Sequence, residues 1–214
     1  MKIAIMQPYF APYLGYFQLI EEADLFVFYD DVNFINRGWI NRNFIDIKDH
    51  SYRFTIPLIK ASQNKKINEV DVNWDCKEMN KLLKTFKHSF KDKPIASTII
   101  ERITYIKPKT IADMAIMSIE LMCSELGIKT QLKRSSQLEY TKVSDKALNL
   151  IKICKLHKAT DYINAEGGQE LYTKKEFSDH GISLQFIKGL PSTSLLNIID
   201  TPTTKNKLYN YECI

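Results

Sequence analysis

Glycine and proline are sparse, seven of each in 214 residues. That scarcity excludes collagen-like and low-complexity chains and leaves little room for flexible linkers. Histidine is scarce as well. His50, His88, His157 and His180 are scattered, and no Ser-His-Asp arrangement, P-loop or Gly-x-Gly-x-x-Gly pattern can be read. Cysteine occurs singly, at 76, 123, 154 and 213, with no Cys-x-x-Cys and no histidine at ligand spacing. This pattern argues against a secreted disulfide framework and a structural zinc site, so no metal is expected. No run of about 18 apolar residues is present, and no transmembrane segment is expected. The opening Met1-Lys2 and its short apolar stretch lead straight into Gln7-Pro8-Tyr9, which reads as a first strand rather than a signal peptide. A cytoplasmic location is the expectation.

What is present is ordinary for a globular protein: 44% hydrophobic and 26% charged residues, enough for one real core. Thirty Lys and Arg against 25 Asp and Glu leave a formal charge of +5. That suits an anionic ligand such as a nucleotide sugar but gives no specific nucleic-acid signal. The lysine-rich stretch from Lys81 to Lys93 reads as solvated helix faces.

Periodicity sets the organisation. Lys2 to Met6 and Asp24 to Tyr29 are short apolar runs, read as buried strands, and Tyr13 to Ala23 between them reads as a helix. Strand, helix, strand in this order is a βαβ unit with a parallel pair. Phe44–Ile47 and Tyr52–Ile56 flank Lys48-Asp49-His50-Ser51, a hairpin pattern ending at Pro57. Thr110 with Asp113 three residues on starts a helix that Gly127 ends. Its methionines read as core filler, as do Cys123 and Cys154 in apolar helical patterns. Ile128 to Lys133, Asp161 to Asn164 and Ile182 to Ile187 read as further strands, and Ser144 as a cap for a helix between the first two. From Pro191 onward no periodicity is strong. The expected fold is α/β, a doubly wound parallel sheet of about five strands with a β-hairpin insertion and an additional helical region. One domain over residues 1–190 is expected, with the hairpin at 32–60, the helical segment at 76–105, and 191–214 as a tail packed on it.

Ligands of open α/β sheets bind outside the carboxyl ends of the strands. Each expected strand exit is polar, aromatic or glycine-bearing. The first carries Gln7, Tyr9, Tyr13, Gly15 and Tyr16. The second carries Asp30, Asp31 and Asn33, then Arg37, Trp39, Asn41, Arg42 and Asn43. The third carries Arg134, Ser135 and Ser136, and the fourth Asn164, Gly167 and Gly168. Either aspartate could act as a general base or hold a substrate amine or hydroxyl. Arginine recognises phosphate bidentately, and tryptophan stacks on a ring. Tyr13-Leu14-Gly15-Tyr16-Phe17-Gln18-Leu19-Ile20 also has the frame of the His-x-Gly-His-x-x-Leu-Ile signature of the nucleotidylyltransferase superfamily. Tyrosine stands at both histidine positions, and a neutral phenol supplies no positive charge to phosphate.

Longer blocks carry a second resemblance. Met6 to Phe17, Phe28 to Val32, Arg37 to Asn43, Arg134 to Leu138, Leu150 to Cys154, Ala159 to Asn164 with Gly167-Gly168, and Phe177 to Phe186 follow one another as in the WbqC-like protein family, which the chain resembles over nearly its full length. The chain departs from the family after Phe186, where a Tyr-x-Gln element is absent and only Ser194 to Asp200 is similar to the family's later segment. The resemblance implies a gene of bacterial O-antigen or other surface-polysaccharide clusters. It implies acyl or aminoacyl transfer to the amine of a nucleotide-linked amino sugar. In that reading Asp30 or Asp31 takes the amine proton. Gln7, Tyr9 and Tyr13 position the donor or stabilise the oxyanion, and Arg37 and Arg42 hold phosphate. No cofactor is demanded beyond an activated acyl or aminoacyl donor. The alternatives are a diverged nucleotidyl or adenylyl transferase using a nucleoside triphosphate, and a non-enzymatic sugar-nucleotide-binding partner of a glycosyltransferase. A homo-oligomer is compatible with any of these.

Overall fold

The computed structural model describes residues 1–48, 50–188 and 194–214. Within the expected hairpin turn Asp49 lies outside the described residues, as do 189–193 at the start of the expected tail.

β1 (Lys2–Met6), α1 (Leu14–Glu22) and β2 (Leu25–Phe28) form the opening βαβ unit, paired in parallel with Ile5 opposite Val27. The chain then leaves the sheet. β3 (Arg42–Ile47) and β4 (His50–Thr55) make a separate antiparallel hairpin, and the helices α2 (Lys77–Ser89), α3 (Pro94–Ile106) and α4 (Ile111–Leu126) follow. It returns through β5 (Gln131–Arg134), α5 (Lys146–Leu156), β6 (Asp161–Ala165), α6 (Lys174–Ser178) and β7 (Ser183–Lys188). The tail adds α7 (Leu195–Ile198), α8 (Thr204–Leu208) and β8 (Glu212–Cys213). The six-stranded sheet runs β5-β2-β1-β6-β7-β8, parallel except for β8. The expected doubly wound α/β fold is therefore the observed one, with β8 added at one edge.

Burial on both faces explains why β1 and β2 read as unbroken apolar runs. Ile3, Ile5, Leu25 and Val27 point to a core shared with Leu150, Ile151 and Cys154 of α5 and Phe177 of α6. Ala4, Phe26, Phe28 and Ile163 point the other way, to Leu14 and Phe17 of α1 and the apolar side of α4. Helix ends follow local chemistry. Thr110 and Asp113 form a reciprocal capping box on α4, and Gly127 closes it at φ 80°. Asp145 rather than Ser144 caps α5, its carboxylate accepting from Leu148 N at 3.0 Å. The tail is bound in by polar contacts. Asp200 accepts from the backbone N–H of Ile95 and Ala96 at the start of α3, and the buried Gln18 donates to the carbonyls of Lys207 and Asn210.

The loop after β1 is held by one strained residue. Ala11 sits at φ 49°, in the left-handed region, and is fully buried. Its N–H donates to Ser118 Oγ of α4 at 3.1 Å. Its carbonyl accepts from Asn43 Nδ2 of β3 at 2.6 Å and from Ser194 Oγ of the tail at 2.9 Å. A non-glycine residue in this region costs of order 1–3 kcal/mol and persists only when its surroundings over-determine it. Ala11→Val should therefore lower the unfolding free energy by about 2–3 kcal/mol, whereas Ala11→Gly should stay within about 1 kcal/mol of the parent. Urea denaturation of both variants reads this directly, and equal stability for the two would remove the strain argument.

Candidate functional site

Strand order reverses between β1 and β6, because β2 and β5 lie on one side of β1 while β6, β7 and β8 lie on the other. This is the topological switch point, where the flanking loops diverge and leave a crevice. A cleft of about 460 Å³ occupies it. Tyr9, Pro12 and Tyr13 come from the β1 exit, Ala165, Glu166 and Gly167 from the β6 exit, and Trp39, Asn43 and Phe44 from the hairpin and its approach.

Each wall has a local cause. Tyr13 is the extended residue preceding α1, so its side chain leaves the helix axis toward the cleft. Burial, with Tyr9 nearby, pushes its phenol up to about 12, and burial also raises Tyr9. Both are protonated hydrogen-bond donors at neutral pH. Asn43 is buried and committed. Its Nδ2 donates to Ala11 and its Oδ1 accepts from Phe44 N at 2.8 Å, so it shapes the wall rather than probing the ligand. Trp39 is 50% exposed, packs on Phe44 at 6.0 Å between ring centroids, and carries the Arg42 guanidinium 5.7 Å from its own ring. Arg42 Nε is buried without a hydrogen-bond partner among the described residues, an incomplete arrangement for a guanidinium. At the floor, Asn164 Oδ1 accepts from Ala165 N, and a Cβ on Gly168 would stand 2.4 Å from Asn164 Nδ2. Gly168 is therefore a packing glycine. At Gly167 a Cβ would meet open space.

The four strand exits do not converge. The second and third close on each other. Asp30 is fully buried and accepts from Ser136 N at 3.0 Å, Ser136 Oγ at 2.8 Å and Ser135 Oγ at 3.2 Å. Asp31 pairs with Lys142 Nζ at 2.7 Å and also accepts from Ser135 Oγ. Neither aspartate lines the cleft, which departs from the expectation of a base there. The reason is that the polar groups after β5 saturate both carboxylates and clamp β2 to β5. Arg134 turns away to Asp113 Oδ1 at 2.6 Å, which holds that carboxyl below its ordinary range against the opposing effect of burial. Tyr16 is fully buried, donates to the Gln7 carbonyl at 2.9 Å, and packs on Phe26, so it is core rather than ligand contact. Gly15 is buried beside it in α1. Asn41 donates to the Ile56 carbonyl at 2.9 Å. Asn33 bridges to Lys66, and Arg37 is exposed at φ 60°.

Of the candidates read from sequence, Tyr9, Tyr13, Trp39, Asn43 and Gly167 meet in the cleft, with Arg42 behind Trp39. Pro12, Phe44, Ala165 and Glu166 were not anticipated. Glu166 had a signal, since it stands between Asn164 and Gly167 in the fourth exit, and among the described residues it is the one carboxylate in the lining.

A doubly wound α/β protein with an aromatic switch-point cleft is the class these features define. The chain belongs to the WbqC-like protein family, whose model matches residues 7–193. It is 27% identical over 190 residues to the uncharacterized protein Rv1507c of Mycobacterium tuberculosis, an alignment covering 85% of this chain and 79% of that one. No solved structure matches it. Among the described residues, no helix is long and apolar enough to cross a membrane.

The clamp reading has a direct consequence. Asp30→Ala should cost about 2–4 kcal/mol of stability, because it leaves the Ser136 N–H and hydroxyl without their acceptor at a fully buried position. Glu166→Ala, at an exposed position, should change stability by no more than about 0.5 kcal/mol. Thermal or urea melts giving the reverse order would return Asp30 to the list of ligand-facing groups.

Proposed function

We propose that this cleft binds a nucleotide-linked amino sugar and that the chain transfers an acyl or aminoacyl group to the sugar amine, in bacterial surface-polysaccharide assembly on the cytoplasmic side. The observation that carries the reading is the Arg42 guanidinium 5.7 Å from the ring of half-exposed Trp39, beside a cleft that Tyr9, Tyr13 and Phe44 also line. A stacked guanidinium keeps its N–H edge free for phosphate, and the indole offers a ring-sized apolar face. Family membership supports the class of pathway.

The roles differ from those read off the sequence. Glu166, not Asp30 or Asp31, meets the amine. As the amine nitrogen bonds to the acyl carbon, Glu166 takes the proton that the nitrogen sheds, and the bond from that carbon to the donor's leaving group breaks. Tyr13 and Tyr9, protonated, donate to the oxygen that gains charge at the acyl centre. The donor is an activated acyl or aminoacyl compound. Nucleotidyl transfer is the weaker reading, because Tyr16, which stands at one histidine position of that signature, spends its hydroxyl on the Gln7 carbonyl. A binding partner of a glycosyltransferase without turnover uses the same cleft and the same stack.

Thermal stabilisation separates these readings. A ligand at a hundred times its dissociation constant adds about 2.7 kcal/mol to the folded state. Nucleotide-linked amino sugars should raise the melting temperature more than their non-amino parents, and Trp39→Ala should abolish most of the shift. Glu166→Gln should remove the preference for the amine while leaving the shift from the nucleotide. A shift confined to nucleoside triphosphates would favour nucleotidyl transfer. Binding without turnover across acyl-coenzyme A and aminoacyl donors would favour the partner role, and no shift with any ligand would sink the cleft assignment.

A further inference from the structure

Charge is unevenly distributed along the chain. Residues 76–109, which contain α2 and α3, hold nine Lys and Arg (Lys77, Lys81, Lys84, Lys87, Lys91, Lys93, Arg102, Lys107, Lys109) against three acidic residues (Glu78, Asp92, Glu101), a net +6. The remaining 180 residues hold 21 cations against 22 anions, a net −1. The whole positive charge of the protein therefore belongs to this segment, α2 and α3 with the loops beside them.

The structure leaves that charge unspent. Lys77, Lys81, Lys84 and His88 step along α2 at intervals of four, three and four, which places them on one face, and all four are exposed. Met79, Leu82 and Phe86 bury the opposite side against the core. Of the nine cations only Lys91 has a carboxylate partner among the described residues, Asp92 at 3.6 Å. Lys93 is used internally, donating to the Asn197 carbonyl. The end of α3 adds a second feature. Tyr105 is 90% exposed and Ile106 56%, although neighbouring Ile103 is buried. This apolar pair is flanked by exposed Arg102, Lys107 and Lys109.

We propose that the α2–α3 pair docks on an anionic lipid bilayer, with the lysines in the headgroup layer and Tyr105 and Ile106 entering its boundary with the acyl chains. Lysines near an anionic leaflet are drawn to its headgroups, an attraction that salt screens. Tyrosine is favoured at the headgroup level, and an exposed aliphatic beside it adds apolar burial. A nucleic acid fits less well. Platforms for single strands interleave aromatic side chains along the basic groove, whereas the exposed face of α2 carries no Phe, Tyr or Trp and Ile106 stacks on no base. The surface is separate from the cleft and does not depend on the ligand proposed there.

Co-sedimentation of the intact protein with vesicles tests this. One set is phosphatidylcholine alone, and the other contains about one third phosphatidylglycerol. Binding to the anionic vesicles about tenfold tighter is expected at low ionic strength, and should be lost at about 0.5 M salt. Lys81→Glu/Lys84→Glu/Lys87→Glu should abolish binding with an unchanged melting temperature, since these side chains are exposed. Tyr105→Ala/Ile106→Ala should weaken binding severalfold while leaving the salt dependence in place. Equal binding to both vesicle types, or wild-type binding by the triple variant, would overturn the proposal. So would tighter binding to a single-stranded oligonucleotide that is indifferent to the Tyr105→Ala/Ile106→Ala change.

Discussion

Ala11 is where four separate stretches of chain meet. Its N–H and carbonyl are satisfied by side chains from α4, β3 and the tail, and the strained backbone between them belongs to the loop after β1. Because the residues on either side supply Tyr9, Pro12 and Tyr13, the shape of the cleft depends on these three hydrogen bonds. None of the three partners is near Ala11 in sequence, so the loop reaches its shape only when the helical segment, the hairpin and the tail are all in place. Neighbouring bonds reinforce this. Phe10 N donates to the Ile40 carbonyl, and Leu195 N donates to the Pro12 carbonyl.

The carboxyl edge of the sheet is divided by the same logic. At β2 and β5, polar groups face each other across adjacent strands and neutralise one another through Asp30, Asp31, Ser135, Ser136 and Lys142. At β1 and β6 the loops part, and the side chains of Tyr9, Tyr13 and Glu166 have no hydrogen-bond partner among the described residues. Protonated phenols, an exposed carboxylate and a stacked guanidinium remain available. Reactivity at this edge is set less by residue type than by whether a complementary loop is close enough to satisfy it.

That distinction explains what could be read from the amino-acid sequence. β1 and β2 were legible because burial on both faces leaves an unbroken apolar run. The Thr110–Asp113 box and Gly127 were legible because capping is a contact between near neighbours. Trp39, Tyr13 and Gly167 were recognisable by residue type at a strand exit. The fate of Asp30 was not, since its partners lie 105 and 106 residues away and nothing local marks them. Tyr13 and Tyr16 look equivalent in the sequence motif, yet one lines the cleft and the other is fully buried, a difference set by the turn of α1. In the tail, α7, α8 and β8 are four, five and two residues long, too short for any period to register.

The hairpin that carries Trp39, Asn43 and Phe44 into the cleft is an insertion, forming its own two-stranded sheet outside the six-stranded one. Floor and wall are thus different modules. Substitution at the exposed positions of the hairpin and its approach can reshape the cleft wall while the parallel strands keep their packing. The freedom is confined to exposed positions such as Trp39, because Phe34, Ile40, Ile45, Phe54 and Ile56 of the same segment are buried in the shared core and Asn43 holds Ala11.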